Sequence, residues 1–356
     1  MRVRLDGTVL ADYTPFHAEL QGRHSANIIV KFSRASGPTV VDLFAGAGLF
    51  SYAFSREKFR VISAVEFDQH AAATYARNLG SHVIAADVRT VKPSGRCDVI
   101  VAGPPCQGFS SIGKRSPRDS RNYLGLVVAQ WAKVLRPSVV VIENVAPFLR
   151  SPVWRILTDR LVGLGYDVQA SVLNAADFGV PQRRKRSFTV ASRVGMVKIE
   201  PNHDGIFATV REAWEGLPKT PNGKNYHVAP APSGLAMARM RVIPAQGDRD
   251  VLLRRAPHLA SKSWFAYADR IKDVWGRLRW DEPSGVIRTA FQNPSKGRHI
   301  HPEQNRVISL REGARLQSIP DSWEFSGCAT HVARQIGNGV PPLMGRAVAR
   351  AVMRTL

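Results

Sequence analysis

A cysteine set on a stiff turn is the strongest chemical feature of the chain. Gly103-Pro104-Pro105-Cys106-Gln107-Gly108-Phe109-Ser110 follows the apolar run Asp98-Val99-Ile100-Val101-Ala102, which reads as a buried strand. Glycine then frees the backbone, and two prolines fix it and remove donors. A thiol is thereby presented at a strand's carboxyl end, where open α/β sheets hold their ligands. That place suits a nucleophile better than a core residue, and the thiolate is the reacting form. The other two cysteines read as structural. Cys97 opens an apolar run, and Cys328 sits in a Ser-Gly-Cys-Ala-Thr stretch with no basic neighbour pattern.

A second constellation reads as a nucleoside site. Phe44-Ala45-Gly46-Ala47-Gly48-Leu49-Phe50 follows a strand and opens a helix, whose first amides are free donors. Glu66 lies 20 residues after Gly46, where an acidic residue grips ribose hydroxyls in nucleoside-binding sheets. Ser51 stands where a dinucleotide fingerprint has its third glycine, so the site need not take a pyrophosphate. S-adenosylmethionine fits better than NAD. Phe67 is then placed to stack on adenine, and Asp87 to accept from its exocyclic amine.

These residues need a sheet to hold them. Strands are expected at 40–44, 61–65, 82–86, 98–102, 138–142 and 187–192, alternating over most of that span with helical patterns. That rhythm predicts a doubly wound, mostly parallel α/β sheet of Rossmann-like type. After about residue 193, Pro201, Pro218, Pro221, Pro230, Pro232 and Pro244 interrupt the chain and the rhythm is lost. The expected organisation is an N-terminal extension over 1–36 with no readable role, a catalytic and cofactor-binding domain over 37–192, a smaller irregular domain over 193–325, and a returning segment over 326–356. Helices are expected at 309–317 and 343–356.

Composition narrows the class. The chain has 356 residues and a net charge of +22; residues 1–188 carry 25 basic and 14 acidic side chains, and residues 189–356 carry the same numbers. Charge spread evenly through folded sequence points to a polyanionic partner, nucleic acid foremost. Three scattered cysteines argue against a disulfide framework and offer no zinc-ligand spacing. His299-x-His301 reads as a solvated pair in a polar loop, so no metal is expected. There is no signal-like N-terminus and no apolar run of membrane length; a cytoplasmic protein is expected.

At this point the chain resembles the bacterial DNA cytosine-5 methyltransferases over residues 39 to 350. The matching segments are in the family's order: Asp42 to Phe50, Glu66 to Asp68, Asp87, Pro104-Pro105-Cys106-Gln107, Glu143-Asn144-Val145, Gln182-Arg183-Arg184-Lys185-Arg186, Arg306 to Pro320 and Gln335 to Pro341. Gly339 stands where the family often has alanine. The resemblance implies methyl transfer from S-adenosylmethionine to carbon 5 of a cytosine flipped out of a short specific site in double-stranded DNA, with Cys106 adding covalently to carbon 6. It implies a catalytic set of Cys106, Gln107, Glu143, Asn144, Arg184 and Arg186. Glu143 would hold or protonate the ring nitrogen, Asn144 would orient its loop, Arg186 would meet the base carbonyl oxygen and Cys106, and Arg184 would meet phosphate.

The implied cofactor set is Phe44, Ala45, Gly46, Gly48, Leu49, Glu66, Phe67, Asp87, Pro104, Asn338 and Val340. Implied DNA contacts are Ser110, Lys114, Arg115, Arg118 and Arg121 on a closing loop, with Gln182, Arg183 and Arg184. Within the irregular domain, which would read the target sequence, Arg254, Arg255, Arg270, Trp264, Trp275 and Trp280 are candidates, the tryptophans weighing more towards that domain's core. A monomer acting on the nucleoid is expected, alone or beside a separate cognate restriction endonuclease.

Three rivals stay open at this stage. A transfer-RNA cytosine-5 methyltransferase would keep every catalytic motif and differ in the irregular domain. A DNA-binding regulator without catalysis would not need Cys106, Glu143 and Arg186 together. A thymidylate-synthase-like enzyme would use the Pro-Cys thiolate but not the site from Gly46 to Asp87.

Overall fold

The computed structural model describes residues 37–105, 120–201, 205–266 and 273–356, together with two short antiparallel strands, β1 (Arg4–Leu5) and β2 (Thr8–Val9). A seven-stranded sheet forms the frame: β3 (Thr39–Leu43), β4 (Arg60–Glu66), β5 (Val83–Ala85), β6 (Val99–Ala102), β7 (Val139–Val145), β8 (Asp167–Asn174) and β9 (Lys185–Ser192). Their order across the sheet is β5-β4-β3-β6-β7-β9-β8. The first five run parallel, and β9 is inserted antiparallel between β7 and β8. This is the expected mostly parallel, doubly wound sheet.

Central strands are buried on both faces, as their near-continuous Val, Ile and Leu composition requires. Val41, Ile100 and Val140 face Trp131 and Leu135 of α3 (Val127–Leu135) and Leu157 and Leu161 of α4 (Pro152–Gly163). Their neighbours Val40, Val99 and Val139 point the other way, onto Phe50 and Phe54 of α1 (Leu49–Ser55) and Met344, Val348 and Val352 of α11 (Pro342–Thr355). The two-residue period of the strands sorts the core into these layers. A further helix, α2 (Gln69–Leu79), starts at an Asp68 cap that accepts from two of its amides. Chain order reverses at β3, which has β4 on one side and β6 on the other. The carboxyl ends of β3 and β6 therefore flank the switch-point crevice of such sheets.

The Pro-rich region carries short helices, α5 (Val210–Ala213), α6 (Gly234–Val242), α7 (Arg249–Arg255) and α8 (Lys262–Ala266). Met240, Ile243, Leu252, Val274, Trp275, Ile300 and Val307 make one small core there. Another core joins Val210 and Trp214 to α9 (Leu310–Leu316), α10 (Ala329–Asn338) and Leu49 of the sheet layer. Thus α9 and α10 pack together across the boundary expected at residues 325–326.

Three differences from the sequence reading have physical causes. Strand β8 has polar residues at half of its positions and exposed ones over Ala170–Val172, so an edge strand left no apolar run to find. Strand β7 extends through Val145 because β9 pairs with it there, Val145 opposite Arg186. His299 and His301 are buried rather than solvated. His301 lies against Trp214 with ring centroids 5.6 Å apart, and burial lowers both imidazoles to about 4, which keeps them neutral.

Candidate active site

The turn after β3 is built around glycines that have different jobs. Gly48 has φ +88°, and a Cβ there would lie 2.8 Å from side-chain carbons of both Leu79 and Tyr75, so no other residue fits against α2. Gly46, at φ +55°, would meet nothing within 4 Å; the space above it is open. Its amide donates to Glu66 Oε2 at 2.7 Å, and the Asp68 amide donates to Oε1 at 2.7 Å. Glu66 is thus fixed at the β4 end, and burial raises its pKa above the ordinary carboxylate range. Phe67 beside it is 73% exposed. Ala45 and Leu49 are buried beneath the turn, Val340 is buried, and Asn338 is exposed at the end of α10.

Ser51 explains the missing third glycine. Its hydroxyl donates to the buried Asp42 carboxylate at 2.6 Å and accepts from Tyr75 Oη at 3.0 Å, and Tyr75 Oη lies 2.9 Å from His82 Nε2. A glycine would leave Asp42 without that donor. Burial, then the nearby Glu66 charge, pushes Asp42 up to about 7. The native state therefore holds a proton that the unfolded chain releases near the ordinary 3.8. Stability from this group falls as pH rises through the window between those values, by about 1.4 kcal/mol per unit. Asp42→Asn, which can still accept from Ser51, is expected to flatten the decline of Tm between about pH 4 and pH 7. An undiminished decline in the variant would contradict this assignment.

The Pro-Pro turn is tied to the sheet's other strand ends. The Gly103 amide donates to Leu43 O at 3.2 Å, and Asn144 Nδ2 donates to Pro104 O at 3.1 Å. Asn144 is buried, and its Oδ1 accepts from Val145 N at 2.8 Å. A Cβ on Gly103 would lie 3.9 Å from both Glu143 Oε2 and Phe44 O, so the turns after β3 and β6 meet at Glu143. The Glu143 carboxylate is paired with Arg186, Nε to Oε1 at 3.0 Å. Burial raises the Glu143 pKa, opposed by the positive charges of Arg186 and Arg184. Ser187 Oγ, which no sequence motif singled out, donates to Asn144 O and Val145 O at 3.2 and 3.1 Å.

Cys106, Gln107, Ser110, Lys114, Arg115, Arg118 and Arg270 lie outside the described residues, as does the side chain of Arg121. Cys106 follows directly on Pro105, whose turn is described.

Two of the expected DNA contacts are corrected. Arg184 is 1% exposed; its Nη1 donates to Ile287 O at 3.1 Å and its Nη2 to Gly337 O at 2.8 Å and Gly339 O at 3.4 Å. Gln182 is fully buried, donating to Leu316 O and Gln317 Oε1 and accepting from Ile287 N. Neither can meet a phosphate in this arrangement. Both instead join β9 to α9 and to the chain leaving α10. Arg183 is exposed and its side chain stays available. The Gly339 departure from alanine has a cause as well: a Cβ there would collide with Leu49 Cδ1.

In the irregular region Trp275 is buried, Trp264 packs against the small core and Trp280 against the neighbouring one. Arg239 lies over both the Trp264 and Trp275 rings. Arg254 and Arg255 are exposed. Cys97 is buried, and burial pushes its thiol up. Cys328, however, has a basic neighbour after all: its exposed sulfur lies 3.3 Å from His331 Nδ1, and hydrogen bonding lowers its pKa.

The site therefore joins an open glycine turn, an amide-fixed Glu66, an exposed aromatic ring and a buried carboxyl–arginine pair beside a Pro-Pro turn. This defines a Rossmann-like methyltransferase. Residues 38–354 match the C-5 cytosine-specific DNA methylases, and the chain belongs to that family, a family of DNA (cytosine-5-)-methyltransferases. It is 34% identical over 343 residues to the Type II methyltransferase M1.HphI of Haemophilus parahaemolyticus, covering 89% of this chain and 87% of that protein. It is 30% identical over 372 residues to M.DdeI of Desulfomicrobium norvegicum, covering 88% of each. A crystal structure of a DNA modification methyltransferase encoded within an E. coli prophage superposes with a TM-score of 0.64 at 26% identity, over 90% of this chain and 99% of that one. Schizosaccharomyces pombe Dnmt2, at 17% identity and a TM-score of 0.59 over 90% of this chain and 98% of its own, shares the fold. Family and fold imply S-adenosylmethionine as the methyl donor. Open space over Gly46, with the Phe67 ring exposed beside it, fits a nucleoside-bearing donor. Among the described residues no helix is long and apolar enough to cross a membrane, and no His, Cys, Asp or Glu cluster could hold a metal.

Proposed function

We propose that this enzyme methylates carbon 5 of a cytosine flipped out of a short specific sequence in duplex DNA, through a covalent adduct with Cys106. The observation that carries the reading is the buried Glu143–Arg186 pair, placed beside the Gly103-Pro104-Pro105 turn that Asn144 holds. Glu66 and Phe67 would hold the ribose and adenine of S-adenosylmethionine, which supplies the methyl group as an electrophile.

Cytosine carbon 5 is too weak a nucleophile to react unaided. The Cys106 thiolate adds to carbon 6, forming a C–S bond. The electron pair displaced from the 5,6 double bond passes into the ring, and Glu143 delivers a proton to the ring nitrogen next to the amino-bearing carbon. Arg186, fixed by Glu143, faces the base carbonyl oxygen. Carbon 5 of the resulting enamine would then bond to the methyl carbon as that carbon's bond to the donor's sulfur breaks, leaving S-adenosylhomocysteine. Finally a water or base removes the carbon-5 proton, the C–S bond to Cys106 breaks, the thiolate is restored and the ring-nitrogen proton returns to Glu143. Flipping the base costs a few kcal/mol in duplex DNA, offset by phosphate contacts from Arg183 and the basic stretch 114–121.

The Type II relatives support a place in a restriction-modification system beside a separate endonuclease; the enzyme itself would act as a cytoplasmic monomer. The test compares methyl acceptors. Labelled S-adenosylmethionine is expected to mark duplex DNA at one short sequence, read out by bisulfite sequencing. Label entering total RNA and no DNA would refute the proposal.

A further inference from the structure

The carboxylate expected to recognise adenine is already held by a neighbouring arginine. Asp87 Oδ1 accepts from the Arg89 amide at 2.9 Å and from Arg89 Nε at 3.0 Å. Oδ2 accepts from the same Nε at 3.1 Å and from Nη2 at 2.6 Å. An ionised carboxylate offers about two acceptor directions on each oxygen, and three Arg89 hydrogens are directed at them, the Nε one shared between both oxygens. An adenine amine arriving over Phe67 therefore competes with the guanidinium. The Arg89 side chain is 57% exposed, against 23% for Asp87, so it can swing into solvent.

We infer that Arg89 is a self-ligand of the cofactor site, an affinity-setting latch that competes with the adenine amine for Asp87. The inference rests on the reading of Asp87 as the adenine acceptor. Its energetic scale follows from exposure: surface ion pairs contribute about 0.2–1 kcal/mol, so the latch weakens cofactor binding by roughly 1.4- to five-fold. The backbone amide bond to Oδ1 does not depend on the side chain, so Arg89→Ala removes the guanidinium from the carboxylate without releasing its orientation.

The experiment is a calorimetric titration of the full chain with S-adenosylhomocysteine, which needs no turnover. Arg89→Ala is expected to bind about 1.4- to five-fold more tightly than the parent. Asp87→Asn should bind more weakly, and adding Arg89→Ala to it should bring no further gain. Unchanged or weaker binding by Arg89→Ala overturns the inference, because the arginine would then support the site or ignore it. Tighter binding that persists in the Asp87→Asn background overturns it too, because the effect would not run through Asp87. An Asp87→Asn protein that binds like the parent refutes the adenine reading itself, and is told apart because it needs no Arg89 variant.

Discussion

Cys106→Ala protein is expected to lose methyl transfer by roughly 10⁴- to 10⁶-fold, the range seen when a catalytic nucleophile is deleted. Without the thiolate, carbon 5 never gains enamine character, and the remaining site only binds and orients. Binding of S-adenosylhomocysteine should be unchanged, because the glycine turn, Glu66 and Phe67 are independent of the thiol. A second readout isolates the covalent step. With 5-fluorocytosine at the target, fluorine replaces the proton that must leave carbon 5, so elimination stalls after methyl transfer. Parent protein should stay attached to that DNA under denaturing conditions, and Cys106→Ala should not. Residual activity within about tenfold of the parent, or an adduct formed by the variant, would remove Cys106 from the mechanism.

Glu143→Gln should slow turnover by about 10²- to 10⁴-fold, equivalent to about 3–5 kcal/mol of barrier. Glutamine keeps the size and an acceptor oxygen, but it can neither give a proton to the base nor neutralise Arg186. The pH profile separates these roles from simple packing. In the parent, the rate is expected to rise as the Cys106 thiol ionises. It is expected to fall at higher pH as Glu143 loses its proton, a point moved upward by burial. Glu143→Gln should keep the rising limb and lose the falling one. A variant that turns over at the parental rate, or one that keeps the falling limb, would assign the acid elsewhere.

Much of this site was legible before any coordinates, because its residues sit at strand ends where local pattern is strong. Buried parallel strands announce themselves as short apolar runs, and β3, β4, β6 and β7 carry Phe44 to Gly48, Glu66, the Pro-Pro turn and Glu143 at or just beyond their carboxyl ends. The family pattern then linked those ends in order. The fold class followed from the same runs. What stayed hidden was local in appearance but long-range in cause. Ser51 read as a missing glycine, and only packing showed it as the donor to Asp42. No motif marked Arg89, two residues from Asp87, and its hold on that carboxylate is a matter of side-chain geometry.

The basic cluster shows where the division falls. Its composition in Gln182-Arg183-Arg184-Lys185-Arg186 gave charge, and charge alone suggested phosphate for Arg184. Pairing of β9 with β7 places Arg186 opposite Val145 and beside Glu143. In the segment leading into β9, Gln182 and Arg184 are buried while Arg183 and Lys185 stay exposed. The partners that make burial of Arg184 tolerable are carbonyls of Ile287, Gly337 and Gly339, more than 100 residues away. A buried guanidinium needs such partners, and no local sequence states where they will be. The order of motifs and the chemistry each residue type can perform were properties of the sequence by itself. Which of the arginines pairs with Glu143, which braces the fold and which holds the Asp87 carboxylate were decided by the tertiary structure, because packing sets burial and hydrogen bonding.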